Sequence, residues 1–196
     1  QFNVELAIKD LLQATTVAQL AQLIEEKEQA IVLPKLVVQD RPERIPLSYA
    51  QERLWFIDQV EGSLHYHIPN LFKIQGTFNQ TAFEKAFQTI VNRHELLRTV
   101  IKEEQGLAYQ EILPINQWSM QVNSAHEGLS KEQVTALVDE VIIRPFDLAQ
   151  DHPLRVEVIK VKEDEHIMVM IMHHIASDGW SSGIFLDEFN ALYTAY

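Results

Sequence analysis

Met172-His173-His174-Ile175-Ala176-Ser177-Asp178-Gly179-Trp180-Ser181 closes the most apolar run in the chain, Ile167 to Met172. The approach, His166 to His174, reads as a strand buried on both faces, because Met and branched residues follow one another without polar interruption. Successive side chains of a strand point to opposite faces. His174 therefore falls on the side of Met168, Met170 and Met172, and His173 on the side of Ile167, Val169 and Ile171. Only one of the two can face a given site. Gly179 turns the chain toward a helical segment, Gly183 to Tyr196.

Three chemistries fit such a stretch. A metal site is a poor match, since adjacent ligands on a strand diverge and the chain has no cysteine. A core strand that ends in two hydrogen-bonded histidines needs no function at all. The third is a general base or polar positioning group at a strand end, with Asp178 ordering the turn behind it.

The rest of the composition narrows the field. The chain has 196 residues, 46% hydrophobic and 22% charged, enough apolar mass for one core and a short appendage. A net charge of -12 speaks against nucleic acid and anionic membrane as partners. No apolar run approaches the ~20 residues of a membrane span. Without a signal sequence or cysteines, a cytoplasmic location is expected.

Working outward, residues 1–28 carry two short helical patterns, Leu6 to Leu12 and a second that starts at the capping box Thr16-Val17-Ala18-Gln19. Residues 29–45, with Pro34 and Pro42, read as a linker. Residues 46–196 form the main domain. Ser48-Tyr49-Ala50-Gln51 caps its first helix, and Asn70 to Gly76 is a strand. Thr81-Ala82-Phe83-Glu84 caps a helix with the stripe Phe83, Phe87, Ile90 and Val91. Thr99–Glu104 and Leu107–Leu113 pair as a hairpin across Gln105-Gly106. Trp118 to Val122 alternates like a strand. Ser130-Lys131-Glu132-Gln133 caps a helix that reaches about Ile143, and Leu154–Lys162 pairs with His166–His174 across a charged turn. The expected class is α/β, a mixed sheet packed with helices.

Three motifs carry a resemblance. MHHIASDGWS (172–181), PLSYAQERLWF (46–56) and RHELLRT (93–99) resemble, in order and spacing, the first motifs of condensation domains of nonribosomal peptide synthetases, within the chloramphenicol acetyltransferase-like superfamily. RPFDL (144–148) followed by PLR (153–155) fits the same pattern. Phe2-Asn3-Val4-Glu5-Leu6, Leu11-Leu12 and Thr16 to Leu20 look like the last helices of a peptidyl carrier protein, whose phosphopantetheine serine would lie before Gln1.

The resemblance implies an N-terminal condensation lobe preceded by a carrier remnant. The family reaction is attack of an acceptor aminoacyl amine on a donor acyl thioester, with both substrates on carrier phosphopantetheine, in antibiotic biosynthesis and secondary metabolism. It implies His174, Asp178 and Gly179 as catalytic residues, with His173, Arg98, Arg93 and Trp180 in support. Asp178 is expected to pair with an arginine, Arg98 first and Arg93 second, or with one from the missing lobe. Neither metal nor directly bound cofactor is expected. Partners would be donor and acceptor carrier domains, adjacent synthetase domains and a C-terminal lobe, without which the chain alone should be inactive. Two rivals share part of the pattern: a stand-alone acyltransferase, and a silent module that only recruits partners.

Overall fold

The computed structural model describes residues 6, 8–27, 37–38, 40–123 and 128–196. Contacts within the chain gather it into two compact units, Gln1–Asp40 and Arg41–Tyr196. The segment Phe2 to Glu5 and most of the expected linker lie outside the described residues.

In the first unit, α1 (Ile8–Gln13) and α2 (Val17–Lys27) fall close to the two expected helices. Thr16 caps α2 as its sequence suggests. The Gln19 N–H donates to Thr16 Oγ1 at 3.3 Å and the Thr16 N–H to Gln19 Oε1 at 3.1 Å.

The second unit holds β1 (Ile45–Pro46), α3 (Tyr49–Glu61), β2 (His67–Gln75), α4 (Gln80–Arg93), β3 (Thr99–Glu104), β4 (Leu107–Ile112), β5 (Gln121–Asn123), α5 (Lys131–Ile143), β6 (Leu154–Lys162), β7 (Glu165–His173) and α6 (Gly179–Ala195). A small sheet runs β1-β4-β3, and a larger one runs β2-β7-β6-β5. The larger sheet is mixed: β5 pairs parallel with β6, and the other pairs are antiparallel.

β7 is interior, flanked by β2 and β6 over its length. Its alternation builds two cores. Met168, Met170 and Met172 pack with Phe83, Phe87 and Ile90 of α4 and Phe185 of α6. Val169 and Ile171 pack on the opposite face with Val138 and Val141 of α5 and with Phe146. The sheet is thus filled from both sides, which is why β7 reads as an unbroken apolar run. Each Phe or Met in these layers is nearly inaccessible. Phe87 at 0% exposure stacks on Trp118, whose indole N–H donates to the Leu154 carbonyl at 2.8 Å.

Several expected boundaries move: α6 starts at Gly179, not Gly183, because Asp178 caps it, and β5 covers Gln121–Asn123 rather than Trp118 to Val122. The α4 cap is Asn79, not Thr81, because Asn79 Oδ1 accepts the Ala82 N–H at 3.1 Å. β2 begins at His67, not Asn70, and so runs through Pro69. Proline is tolerated there because β2 is an edge strand, with β7 as its one ladder neighbour among the described residues. The β3–β4 turn has positive φ at both Gln105 (55°) and Gly106 (79°), the primed geometry that matches strand twist.

Candidate functional site at the end of the interior strand

The site is assembled where β7 ends. The ladder stops at His173, which pairs with His67 of β2. His174 then leaves the sheet and does not continue the alternation. Its ring is exposed, whereas His173 has 0% exposure. The two histidines do differ in environment, but a turn separates them rather than the strand alternation expected from the sequence.

Backbone hydrogen bonds fix that turn from three sides. The His173 N–H donates to the Pro153 carbonyl at 2.9 Å, and the His174 N–H to the Tyr66 carbonyl at 2.8 Å. The Ala176 N–H returns to the His173 carbonyl at 3.0 Å, and Ser177 Oγ donates to that carbonyl at 3.3 Å. His174 therefore sits on a backbone held by hydrogen bonds while its side chain is exposed.

His173 is held differently. The Ile175 N–H donates to its Nδ1 at 3.1 Å, so that nitrogen carries no proton. Its ring lies edge-on to Phe146 and His67. Burial lowers its pKa to about 4, with the neighbouring His67 and His174 acting in the same direction. His173 is therefore buried and neutral near pH 7.

Among the described residues Asp178 pairs with no arginine. It is the N-cap of α6: the Ser181 N–H donates to Asp178 Oδ1 at 2.9 Å, and the Asp178 N–H donates to Ser181 Oγ at 2.9 Å. Those Ser181 hydrogen bonds, first of all from its backbone N–H, lower the Asp178 pKa. Arg98, 12% exposed at its side chain, donates to the Leu113 carbonyl at 2.6 Å and lies 3.4 Å from Glu95. Arg93 pairs with Glu188 of α6 at 3.2 Å. The expected Asp178–arginine pair is thus replaced. A short polar side chain one residue before a helix finds backbone N–H donors nearer than any guanidinium.

Gly179 opens α6. A Cβ built on it would meet nothing within 4 Å, and its φ lies outside the left-handed region. Neither packing nor backbone geometry among the described residues demands glycine there. Trp180 is 85% exposed, so it does not brace the turn from the core.

The turn forms one wall of an open cleft of about 560 Å³, whose other wall includes Ala50, Arg53 and Leu54 of α3. His174 and Asp178 line it together; Arg93, Arg98 and Trp180 do not. α3 keeps its capping box (Ser48 with Gln51) but buries no residue of its own. Three participants escape a motif-based reading: Tyr66, whose carbonyl anchors His174; Ser181, which completes the Asp178 cap; and His67, which touches His173. Only Ser181 leaves a sequence signal, as the third helical residue after an Asp.

An α/β lobe with a mixed sheet, helices on both faces and a histidine-bearing turn at the end of an interior strand has the chloramphenicol acetyltransferase-like fold. The chain belongs to the condensation-domain family, whose model matches residues 42–196. It is 34% identical, over 99% of its length, to a linear gramicidin synthase of Brevibacillus parabrevis, and 36% identical over 90% to a dimodular nonribosomal peptide synthase of Bacillus subtilis. It spans 4% and 7% of those two relatives. Among solved structures, the X-domain from teicoplanin biosynthesis superposes with a TM-score of 0.73 at 29% identity, covering 82% of this chain and 34% of that one. The starter condensation domain of rhizomide synthetase shares the fold, with a TM-score of 0.68 at 22% identity, over 79% of this chain and 38% of that one.

Proposed function

We propose that this chain supplies the histidine-bearing half of a peptide-bond-forming site in a nonribosomal peptide synthetase. The acceptor amine attacks the donor thioester carbonyl; a C–N bond forms, the C–S bond breaks, and the donor thiol leaves. An α-amino group has a reference pKa of roughly 7.7–8.0, so a useful fraction is neutral near pH 7 to 8 without a strong base. His174 orients that amine and accepts its proton as the tetrahedral intermediate collapses. Asp178 acts through the helix it caps, by fixing where His174 stands. Gly179 leaves room for an acceptor arm to pass close to the backbone.

The observation that carries this reading is the exposed His174 ring, set on a backbone-anchored turn and facing a cleft beside a buried, neutral His173. Substrates would arrive on phosphopantetheine of carrier domains, in the cytoplasm. Residues 1–28 would be the end of one such carrier domain, since likeness to the linear gramicidin synthase runs on through 99% of the chain. The exposed faces of α3 and α6, with Phe56 at 62% and Trp180 at 85% exposure, suit cover by a second lobe and adjacent synthetase domains.

A recruiting module is the second reading, favoured by likeness at 28% identity to the complex of the X-domain and OxyB from teicoplanin biosynthesis. The test is transfer by the full-length synthetase between one loaded donor and one loaded acceptor carrier. The expected result is an amide-linked product on the acceptor carrier. Carrier binding without product would favour recruitment.

A further inference from the structure

The buried face beneath the catalytic turn holds a second histidine that the reaction does not use. His67, at the start of β2, is the direct cross-strand partner of His173, and the two ring centroids lie 6.0 Å apart at an interplanar angle of 69°. Phe146 closes the group, 5.0 Å from His67 and 5.9 Å from His173, both edge-on.

Hydrogen-bond bookkeeping fixes both tautomers. His67 Nδ1 lies 3.1 Å from the Ile142 carbonyl, which can only accept, so Nδ1 carries the proton and Nε2 a lone pair. His173 Nδ1 accepts the Ile175 N–H, so in the neutral ring the proton is on Nε2. The two Nε2 atoms are both buried and both without a hydrogen-bond partner among the described residues. One is a donor and the other an acceptor, on adjacent rings. The two orphaned Nε2 atoms, one a donor and the other an acceptor, sit on rings whose centroids are 6.0 Å apart, so each ring carries what the other lacks.

The geometry points to a hydrogen-bonded pair in which the His173 Nε2–H donates to His67 Nε2, making His67 a positioning residue for the turn that carries His174. A linear imidazole–imidazole bond needs a centroid separation of about 5.3 Å, so the rings close by less than an ångström to form it. The chain of bonds then runs from the Ile142 carbonyl on α5, through both rings, to the Ile175 N–H next to His174. It ties the helix on one face of the sheet to the catalytic turn. The charged groups around the pair are Arg155 of β6, whose guanidinium stacks on Phe146, and Asp58 of α3; the titratable His174 also faces His173. Its consequence for turnover rests on the role given to His174 above; the tautomers and the bond do not.

The experiment is side-chain nitrogen NMR of this uniformly 15N-labelled chain at pH 7, with His67→Phe and His67→Gln beside it. The expected result is the Nδ1–H tautomer for His67 and the Nε2–H tautomer for His173, with a slowly exchanging His173 Nε2 proton. His67→Phe should shift that proton upfield. His67→Gln, which restores an acceptor, should keep it near its original position. In the full-length synthetase, His67→Phe should lower the single-turnover rate by up to ~10²-fold with carrier binding unchanged, and His67→Gln should recover most of it. A cationic His173, the opposite tautomer in either ring, or a His173 proton indifferent to His67→Phe would overturn the pair. The last of these outcomes would assign the proton to the Phe146 ring instead. The wild-type spectrum decides the tautomers even where a variant does not fold. Intact NMR signatures with no rate effect would overturn His67 as a positioning residue while leaving the bond in place.

Discussion

At the scale of single residues, the two adjacent histidines differ because one ends a ladder and the next begins a turn. His173 is buried with its Nδ1 already filled by a backbone N–H, and that state is readable as a pH dependence. Its folded-state pKa, about 4, lies below the ordinary histidine value, so the unfolded chain takes up the proton first. The stability it contributes is fully present above about pH 6.5 and is lost as pH falls toward about 4. From this residue alone, about 2 kcal/mol should be gone by pH 5. His67, His152 and His166 are all lowered chiefly by burial and act in the same direction. Urea unfolding at pH 7.5, 6, 5 and 4.5 checks this. A midpoint that stays level down to pH 4.5 would mean that His173 is not buried neutral.

At the scale of elements, α6 carries Asp178 and Ser181 at its start and is held to α4 near its middle. Glu188 receives His94 Nε2 at 2.9 Å and Arg93 Nη1 at 3.2 Å, and these contacts, the His94 hydrogen bond first, lower its pKa. Both partners are about half exposed, so screening limits the clamp to about 1 kcal/mol. Glu188→Ala should therefore leave global stability nearly intact while speeding amide exchange in α6 selectively. Uniform exchange across α6 and β7 in that variant would show that the clamp does not hold the helix.

The same clamp shows what the sequence conceals. His94 and Arg93 sit at the end of α4, where the helix dipole alone accounts for basic residues. Nothing local announces a carboxylate nearly a hundred positions later. The stripe Phe83, Phe87, Ile90 and Val91 is legible because burial follows helical period, and so is β7, because both of its faces are covered. The α4 cap is ambiguous in sequence because Asn79 and Thr81 both satisfy the cap pattern and only φ/ψ decides between them. β2 reads short because Pro69 argues against a strand unless its edge position is known.

At the scale of the whole molecule, the site is legible where it is contiguous and obscure where it is assembled. His173, His174, Asp178 and Gly179 lie in one run. Their partners Tyr66, His67 and Pro153 come from distant segments, and the pairing of β2 and β6 with β7 is what brings them in. Asp178 caps its own helix, and Arg98 is committed elsewhere, to the Leu113 carbonyl beside the small sheet and to Glu95. Among the described residues no helix is long and apolar enough to cross a membrane.

The central claim is that His174, on its anchored turn, handles the acceptor amine. The most direct measurement is single-turnover transfer from a loaded donor carrier to a loaded acceptor carrier by the full-length synthetase, wild type against His174→Ala. General acid–base participation is worth typically 10²–10⁴-fold, so the amide-forming rate should fall by at least ~10²-fold while carrier binding and folding are kept. Undiminished amide formation by the His174→Ala protein would contradict the account.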